Sequence, residues 1–462
     1  MIPVHVRDEL RAADEAAIAE VGLETLVERA GGAVANAALS LLGGGYGKRA
    51  VVVAGRGHNG DDGRVAAGML RRRGVRVAIC DPTSLPAELP ACDLVIDAAY
   101  GTGFRGEYRA PAVPAGTPVL AIDIPSGLDA DTGLACEGAV RATGTVTMAA
   151  LKPGLLMGDG PALAGEVKVA PIGITVAPGN LWLIEDSDLA SWLPAREHDT
   201  NKWRSAVVVV AGSPGMVGAA RFSTAGAQRA GAGMVRWCVP GAAPGSLPVS
   251  EAVARSVPAG DFADAVLQEL HRCRALVIGP GLGSESGVAA SVRRLVAEAE
   301  VPVVVDADGL SALGSAERAS SVLVGRKVPA VLTPHDGEYK RLMGATAGGD
   351  GRPGGDRVAA ARLLASRTGA IVLLKGSTTA VAAPDGECFL VTSGSPRLAT
   401  AGTGDVLSGI VGAFMARGVD PLRAAALAAH VHGRAAASGF AEGLLAGDLP
   451  ELVAAVLSNA RG

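Results

Sequence analysis

Aromatic residues are scarce, at 3% of 462, so any core here must be assembled from Ala, Val, Leu and Ile. Six cysteines are scattered with no Cys-x-x-Cys pair, which excludes a zinc site and a disulfide framework. No apolar run approaches the roughly eighteen residues that cross a bilayer. Nor does an apolar signal segment follow the charged first ten residues, so a cytoplasmic location and no membrane partner are expected. The net charge of -4 is too small and of the wrong sign for a broad phosphate-neutralising surface, so no nucleic-acid partner is expected. The local run Arg71-Arg72-Arg73 is expected to be a solvated helix end.

What the chain does have is length and glycine. At 462 residues more than one domain is expected, and its 64 glycines fall mostly at the ends of apolar runs, as strand-to-helix turns require. Apolar strands are expected at Ala50–Ala54, Val75–Cys80, Leu94–Asp97 and Val119–Asp123. A second series runs through Ala206–Ala211, Ala275–Gly279, Pro302–Asp306, Ala330–Thr333 and Ala370–Lys375. Helical patterns such as Gly63–Arg72, Ser223–Gly231 and Val288–Ala299 alternate with them, and two more helices are expected across Asp8–Leu42. This alternation predicts two doubly wound α/β domains. Turn and cap signals between Ile172 and Lys202 place the boundary there, giving domains of 1–185 and 186–462. The apolar, Ala-rich helices suggest a homo-oligomer.

Polar loops follow the strands of the second series. They read Gly279-Pro280-Gly281-Leu282-Gly283, Asp306-Ala307-Asp308-Gly309, Thr333-Pro334-His335-Asp336-Gly337-Glu338 and Lys375-Gly376-Ser377-Thr378-Thr379. Ala401-Gly402-Thr403-Gly404-Asp405 then opens the helical run Val406–Met415. Backbone N–H groups at a Gly-rich helix start converge on an anion, and the helix dipole favours negative charge there. A carboxylate beside such a hole can take a proton from a substrate hydroxyl while phosphate charge is neutralised.

These motifs together resemble the ADP-dependent NAD(P)H-hydrate dehydratases of the ribokinase-like superfamily, from about Glu197 to the end. The resemblance implies that Asp405 is the catalytic base and also meets substrate. It further implies that Gly404 belongs to the anion hole, that Lys375 to Thr379 contact ADP (used with Mg²⁺ as phosphoryl donor), and that Ala219, Gly281 and His335 line the hydrated dinucleotide. A ribokinase-like kinase of a vitamin-precursor alcohol, carrying a non-catalytic N-terminal module, would share the same base and hole.

In the first half, Gly55-Arg56-Gly57-His58-Asn59-Gly60-Asp61-Asp62-Gly63 separates a strand from a helix, a loop suited to a pyrophosphate. Two further strand ends carry Asp97-Ala98-Ala99-Tyr100-Gly101-Thr102-Gly103-Phe104-Arg105-Gly106-Glu107 and Asp123-Ile124-Pro125-Ser126-Gly127. Asn59, Asp97 and Ser126 offer hard oxygen ligands that suit an alkali cation better than zinc. With Glu28-Arg29-Ala30-Gly31, these loops resemble the NAD(P)H-hydrate epimerases, a Rossmann-like domain over about Val4 to Ile172. The resemblance implies that His58 to Asp62 and Gly101 to Glu107 bind the hydrated dinucleotide, that Asn59, Asp97 and Ser126 hold K⁺, and that Asp123 meets substrate and shuttles the proton of epimerisation. Where that family reads Asn-Asn-Gly-Gly-Asp, this chain has His58-Asn59-Gly60-Asp61-Asp62, which adds a negative charge beside an anionic ligand.

Overall fold

A computed structural model describes every residue except Pro244, Ser246, Pro248, Val249, 345–352 and 461–462. The chain forms two units, Ile2–Gly179 and Asn180–Gly462.

In the first unit, helices Arg7–Val21 and Leu23–Leu42 precede a six-stranded parallel sheet. Its strands lie in the order Arg76–Cys80, Arg49–Ala54, Leu94–Ala98, Val119–Ile122, Gly144–Met148, Glu166–Ala170. The order reverses between Arg49–Ala54 and Leu94–Ala98, and that reversal opens a crevice at their C-terminal ends, where ligands bind in such sheets. Strand side chains alternate between faces. Val52, Ala54, Ile96, Ala98, Leu120 and Ile122 pack on helices Leu23–Leu42 and His58–Arg72. Val51, Val53, Val95 and Val119 are covered instead by Leu89, Tyr108 and Val140 from the connecting segments. The strand Arg76–Cys80 is an edge strand with Ile79 exposed, so its apolar sequence reflects β-propensity rather than double-sided burial. Two strands had no apolar signature. Gly144–Met148 is fully buried, yet its threonines interrupt the run; Thr145 satisfies its hydroxyl by donating to the Ala164 carbonyl at 2.7 Å. Glu166–Ala170 closes the far edge, largely exposed.

In the second unit the parallel strands run in the order Val253–Arg255, Met234–Cys238, Ala206–Val210, Ala275–Ile278, Val303–Val305, Ala330–Leu332, Ile371–Leu374. Two antiparallel pairings then add Thr379–Ala382 and Cys388–Val391, and Leu181–Leu183 pairs parallel with the latter. Val207, Val209, Val277, Val304, Val331 and Leu373 face the helices Val217–Arg229, Thr403–Ala416 and Pro421–Ser438. The alternate residues Val208, Leu276 and Val303 are equally buried on the other face, which is why these strands read as unbroken apolar runs.

The helix Thr403–Ala416 touches its neighbours through glycine. A Cβ on Gly409 would meet the Ser223 carbonyl and come within 2.8 Å of the Ala227 nitrogen, both backbone atoms of helix Val217–Arg229. Close approach of these two helices therefore sets the height of the Gly402–Asp405 turn above the sheet. Among the described residues no helix is long and apolar enough to cross a membrane.

Candidate active sites

At the crevice of the first unit lies a cavity of 680 Å³. Gly57 is the N-cap of helix His58–Arg72, so His58 to Asp62 form its first helical turns; the expected loop is shorter than the glycines suggested. The chain folds back here so tightly that a Cβ on Gly60 would strike the Gly55 carbonyl. His58, Asn59, Asp62, Gly101, Thr102, Gly103, Phe104, Arg105 and Asp123 all line the cavity, whereas Gly60, Asp61, Gly106 and Glu107 lie outside its lining. Asp61 points to solvent and pairs with Arg64 at 3.1 Å, so the extra negative charge is compensated on the helix surface.

Asp97 and Ser126 are buried beneath the cavity wall, 2% and 1% exposed. Ser126 donates its hydroxyl to Asp97 Oδ1 at 2.7 Å and its N–H to Oδ2 at 2.8 Å. Tyr100 links this pair to Asn59: its N–H donates to Ser126 Oγ at 2.9 Å, and its carbonyl accepts from Asn59 Nδ2 at 3.0 Å. Burial pushes the Asp97 carboxyl up to about 6, and no ion pair joins it among the described residues.

Two groups in this cavity carried no motif. Lys152, 2% exposed, donates to Asp123 Oδ1 at 2.5 Å. Its one sequence signal was to be the lone charge within the apolar run Gly144 to Met157. Asp14, from the first helix, also lines the cavity. Burial, then the charge of Asp123, pushes the Asp62 carboxyl up to about 8 and raises that of Asp14. Asp123 itself adopts a left-handed backbone (φ 66°), uncommon for a non-glycine residue.

In the second unit, Gly402 (φ 92°) caps helix Thr403–Ala416 and Asp405 stands in its first turn. Burial, then the charge of Asp306, pushes the Asp405 carboxyl up to about 7. Opposite the helix start, Lys375 donates to Asp306 Oδ1 at 2.8 Å and lies 3.7 Å from Glu338. A Cβ on Gly404 would sit 3.6 Å from its ammonium, so the lysine faces the mouth of the helix. Burial would raise the pKa of Asp306, but the Lys375 ammonium and the Ser408 hydroxyl, 2.5 Å away, hold it below the usual range. Two neighbouring carboxylates are thus driven apart: Asp306 stays charged, and Asp405 is poised near neutrality.

His335 caps the helix Asp336–Met343, its Nδ1 accepting from the Gly337 N–H at 2.9 Å, and its side chain stays largely exposed. Gly281 (φ 65°) touches the Ala219 methyl, as a Cβ there would come within 2.8 Å of it. Arg357 is a residue that sequence reasoning missed. Its guanidinium donates to the carbonyls of Lys375 and Thr378 at 2.6 and 3.2 Å and to Asp336 at 3.0 Å, pinning the Lys375–Thr379 turn. His432 is another: it is buried against the backbone of Thr403, and burial pushes its imidazole down to about 4.

Comparison with known proteins finds relatives for both halves of the chain. Residues 207–458 match the family described as NAD(P)H-hydrate dehydratase, and residues 23–85 and 79–154 match the YjeF-related protein N-terminus. The bifunctional NAD(P)H-hydrate repair enzyme of Moorella thermoacetica is 36% identical, with 89% of this chain and 88% of that protein covered. That of Mycobacterium leprae is 34% identical, with 98% and 97% covered. Among solved structures, the ADP/ATP-dependent NAD(P)H-hydrate dehydratase from Bacillus subtilis, co-crystallised with ATP and Mg²⁺, superposes with a TM-score of 0.51 at 27% identity. That match covers 61% of this chain and 99% of the other. The chain belongs to the bifunctional NAD(P)H-hydrate repair enzymes.

Proposed function

We propose that the chain restores hydrated NADH and NADPH, interconverting the R and S hydrates in the first unit and dehydrating the S hydrate with ADP in the second. One observation carries this reading: a half-buried carboxyl, Asp405, stands at a Gly-rich helix start facing the Lys375 ammonium. Asp405 takes the proton of the hydrate's hydroxyl as that oxygen attacks the terminal phosphorus of ADP. The bond from that phosphorus to the bridging oxygen breaks, and AMP departs. The phosphorylated oxygen is now a good leaving group, so the carbon–oxygen bond breaks, phosphate leaves, and loss of a neighbouring ring proton restores the double bond. The backbone N–H groups at Gly404 and the Lys375 charge stabilise the phosphoryl oxygens where negative charge collects. The turn Lys375 to Thr379, held by Arg357, receives the nucleotide; Ala219, Gly281 and His335 receive the hydrated ring. Mg²⁺, bound with the nucleotide, would neutralise phosphate charge.

In the first unit, His58, Asn59, Asp62 and Gly101 to Arg105 hold the substrate, and Asp123 handles the hydroxyl proton. Potassium fits Asn59, Asp97 and Ser126: the donors are hard oxygens, and Asp97 is a buried carboxylate that pairs with no cation among the described residues. When bound, the cation would lock the Tyr100–Gly101 turn against the helix start. In the same reading the chain acts in the cytoplasm, as a homo-oligomer.

The test is incubation of racemic NADH hydrate with ADP or ATP in the presence of K⁺, following the reduced-nicotinamide absorbance. Recovery should be complete and biphasic, one half at the dehydratase rate and the other at the epimerase rate. Accumulation of a stable phosphorylated product would instead mark a kinase.

A further inference from the structure

Beyond Met148 the chain turns through Ala149 (φ 61°) and carries Lys152 back beneath the cavity floor. The ammonium has three protons, and each has an acceptor: Asp123 Oδ1 at 2.5 Å, Thr147 Oγ1 at 2.8 Å and the Met148 carbonyl at 2.8 Å. It is therefore fixed in place, with no proton left over for a ligand. Among the described residues, Asp123 receives its side-chain bonds on one oxygen only. Lys152, the Met148 N–H (3.1 Å) and the Thr147 hydroxyl (3.4 Å) all reach Oδ1. Oδ2 is the oxygen left for substrate.

The surroundings set the electrostatic problem that Lys152 answers. Asp14 from the first helix and Asp62 from helix His58–Arg72 line the same cavity, along with His58 and the guanidinium groups of Arg56 and Arg105. Arg105 also lies 3.9 Å from Asp129. Carboxyl groups crowded into one partly dry cavity cannot all ionise, and one of them takes up a proton unless a cation chooses for it. Lys152 contacts Asp123 and neither of the others in the described structure.

We propose that Lys152 is the positioning residue that keeps Asp123 as the carboxylate of the epimerase site and turns its Oδ2 towards the hydrate's hydroxyl. This rests on the epimerase reading of the first unit. The epimerised carbon bears both the hydroxyl and the ring nitrogen. As Oδ2 takes the hydroxyl proton, a carbonyl forms and the carbon–nitrogen bond breaks, its electron pair going to nitrogen. Nitrogen then re-adds to the other face of the carbonyl and the proton returns to oxygen, with no oxidant or reductant. Lys152 gives up no proton.

The test is the pH profile of the slow, epimerase-limited phase in the racemic-hydrate assay, using the full chain with K⁺ and ADP and subtracting the uncatalysed rate. Lys152→Met should leave the fast phase unchanged and slow the second. With the opposite charge gone, the acidic limb of that phase should move to higher pH and activity should return at high pH. Thr147→Val, nearly isosteric, removes one anchor of the lysine and one contact to Asp123, and should move the limb the same way by less. A slow phase whose acidic limb stays at the wild-type position, in whichever of these variants keeps its thermal melt, overturns the proposal even if the rate falls. If the wild-type chain shows no slow catalysed phase, the epimerase reading itself fails.

Discussion

In the resting protein the Asp405 carboxyl is raised from 3.8 to about 7, first by burial and then by the charge of Asp306. A carboxyl whose folded pKa exceeds its unfolded value costs nothing below the unfolded value. It costs stability increasingly as pH rises towards the folded value, and the full amount above it. Asp405→Asn should thus remove dehydratase activity by about a thousandfold or more, as expected for loss of a general base. It should also raise the melting temperature. That gain should be largest at pH 8, worth a few kcal/mol at most, and smaller at pH 5. Calorimetry at the two pH values checks it; a variant no more stable than wild type at pH 8 would show that Asp405 is not held against its charge. Asp405 was legible in the sequence because its environment is local, a glycine-flanked helix start. Lys152 and Arg357 were not. Their partners, Asp123 and the carbonyls of Lys375 and Thr378, lie 18 to 29 residues away, and only the folded sheet brings them together.

Helices are positioned by what they lack as well as by what they bury. Gly409 lies against backbone of helix Val217–Arg229, so an added methyl meets atoms that cannot rotate aside. In an exposed helix, Gly→Ala would stabilise by about 1 kcal/mol. Here overpacking opposes that gain with about 1–3 kcal/mol, and separating the helices also shifts Asp405 relative to Lys375. Gly409→Ala should therefore lower the melting temperature by a few degrees and slow the fast phase, leaving the slow-phase epimerase chemistry intact. A melting point at or above wild type would show that the helices can separate without cost. At this scale the central parallel strands were legible, since both faces of strands such as Ala206–Val210 and Ala275–Ile278 are apolar. The antiparallel strands Thr379–Ala382 and Cys388–Val391 were hidden because they follow directly on a motif rich in Gly, Ser and Thr. Gly144–Met148 was hidden because its buried threonines mimic a surface strand while satisfying their hydroxyls internally.

Joining the two activities in one chain serves the chemistry whether or not substrate passes directly between them. The dehydratase removes one epimer, and the epimerase refills it from the other, through solution if need be. Each unit has its own core and site, so inactivating one leaves the other's residues untouched. Full-length Asp405→Asn should therefore still epimerise, and full-length Asp123→Asn should still dehydrate the S half of a racemic hydrate before slowing to the uncatalysed rate. Mixed in equal amounts, the two defective chains should recover all of the reduced nucleotide. With free exchange, the slow phase should speed up in proportion to the concentration of the Asp405→Asn chain. If the mixture instead slows to the uncatalysed rate at half recovery, although both chains melt as the wild type does and the wild-type chain goes to completion, the hydrate must be handed over within a single molecule. Free diffusion would then be excluded as the link between the two sites.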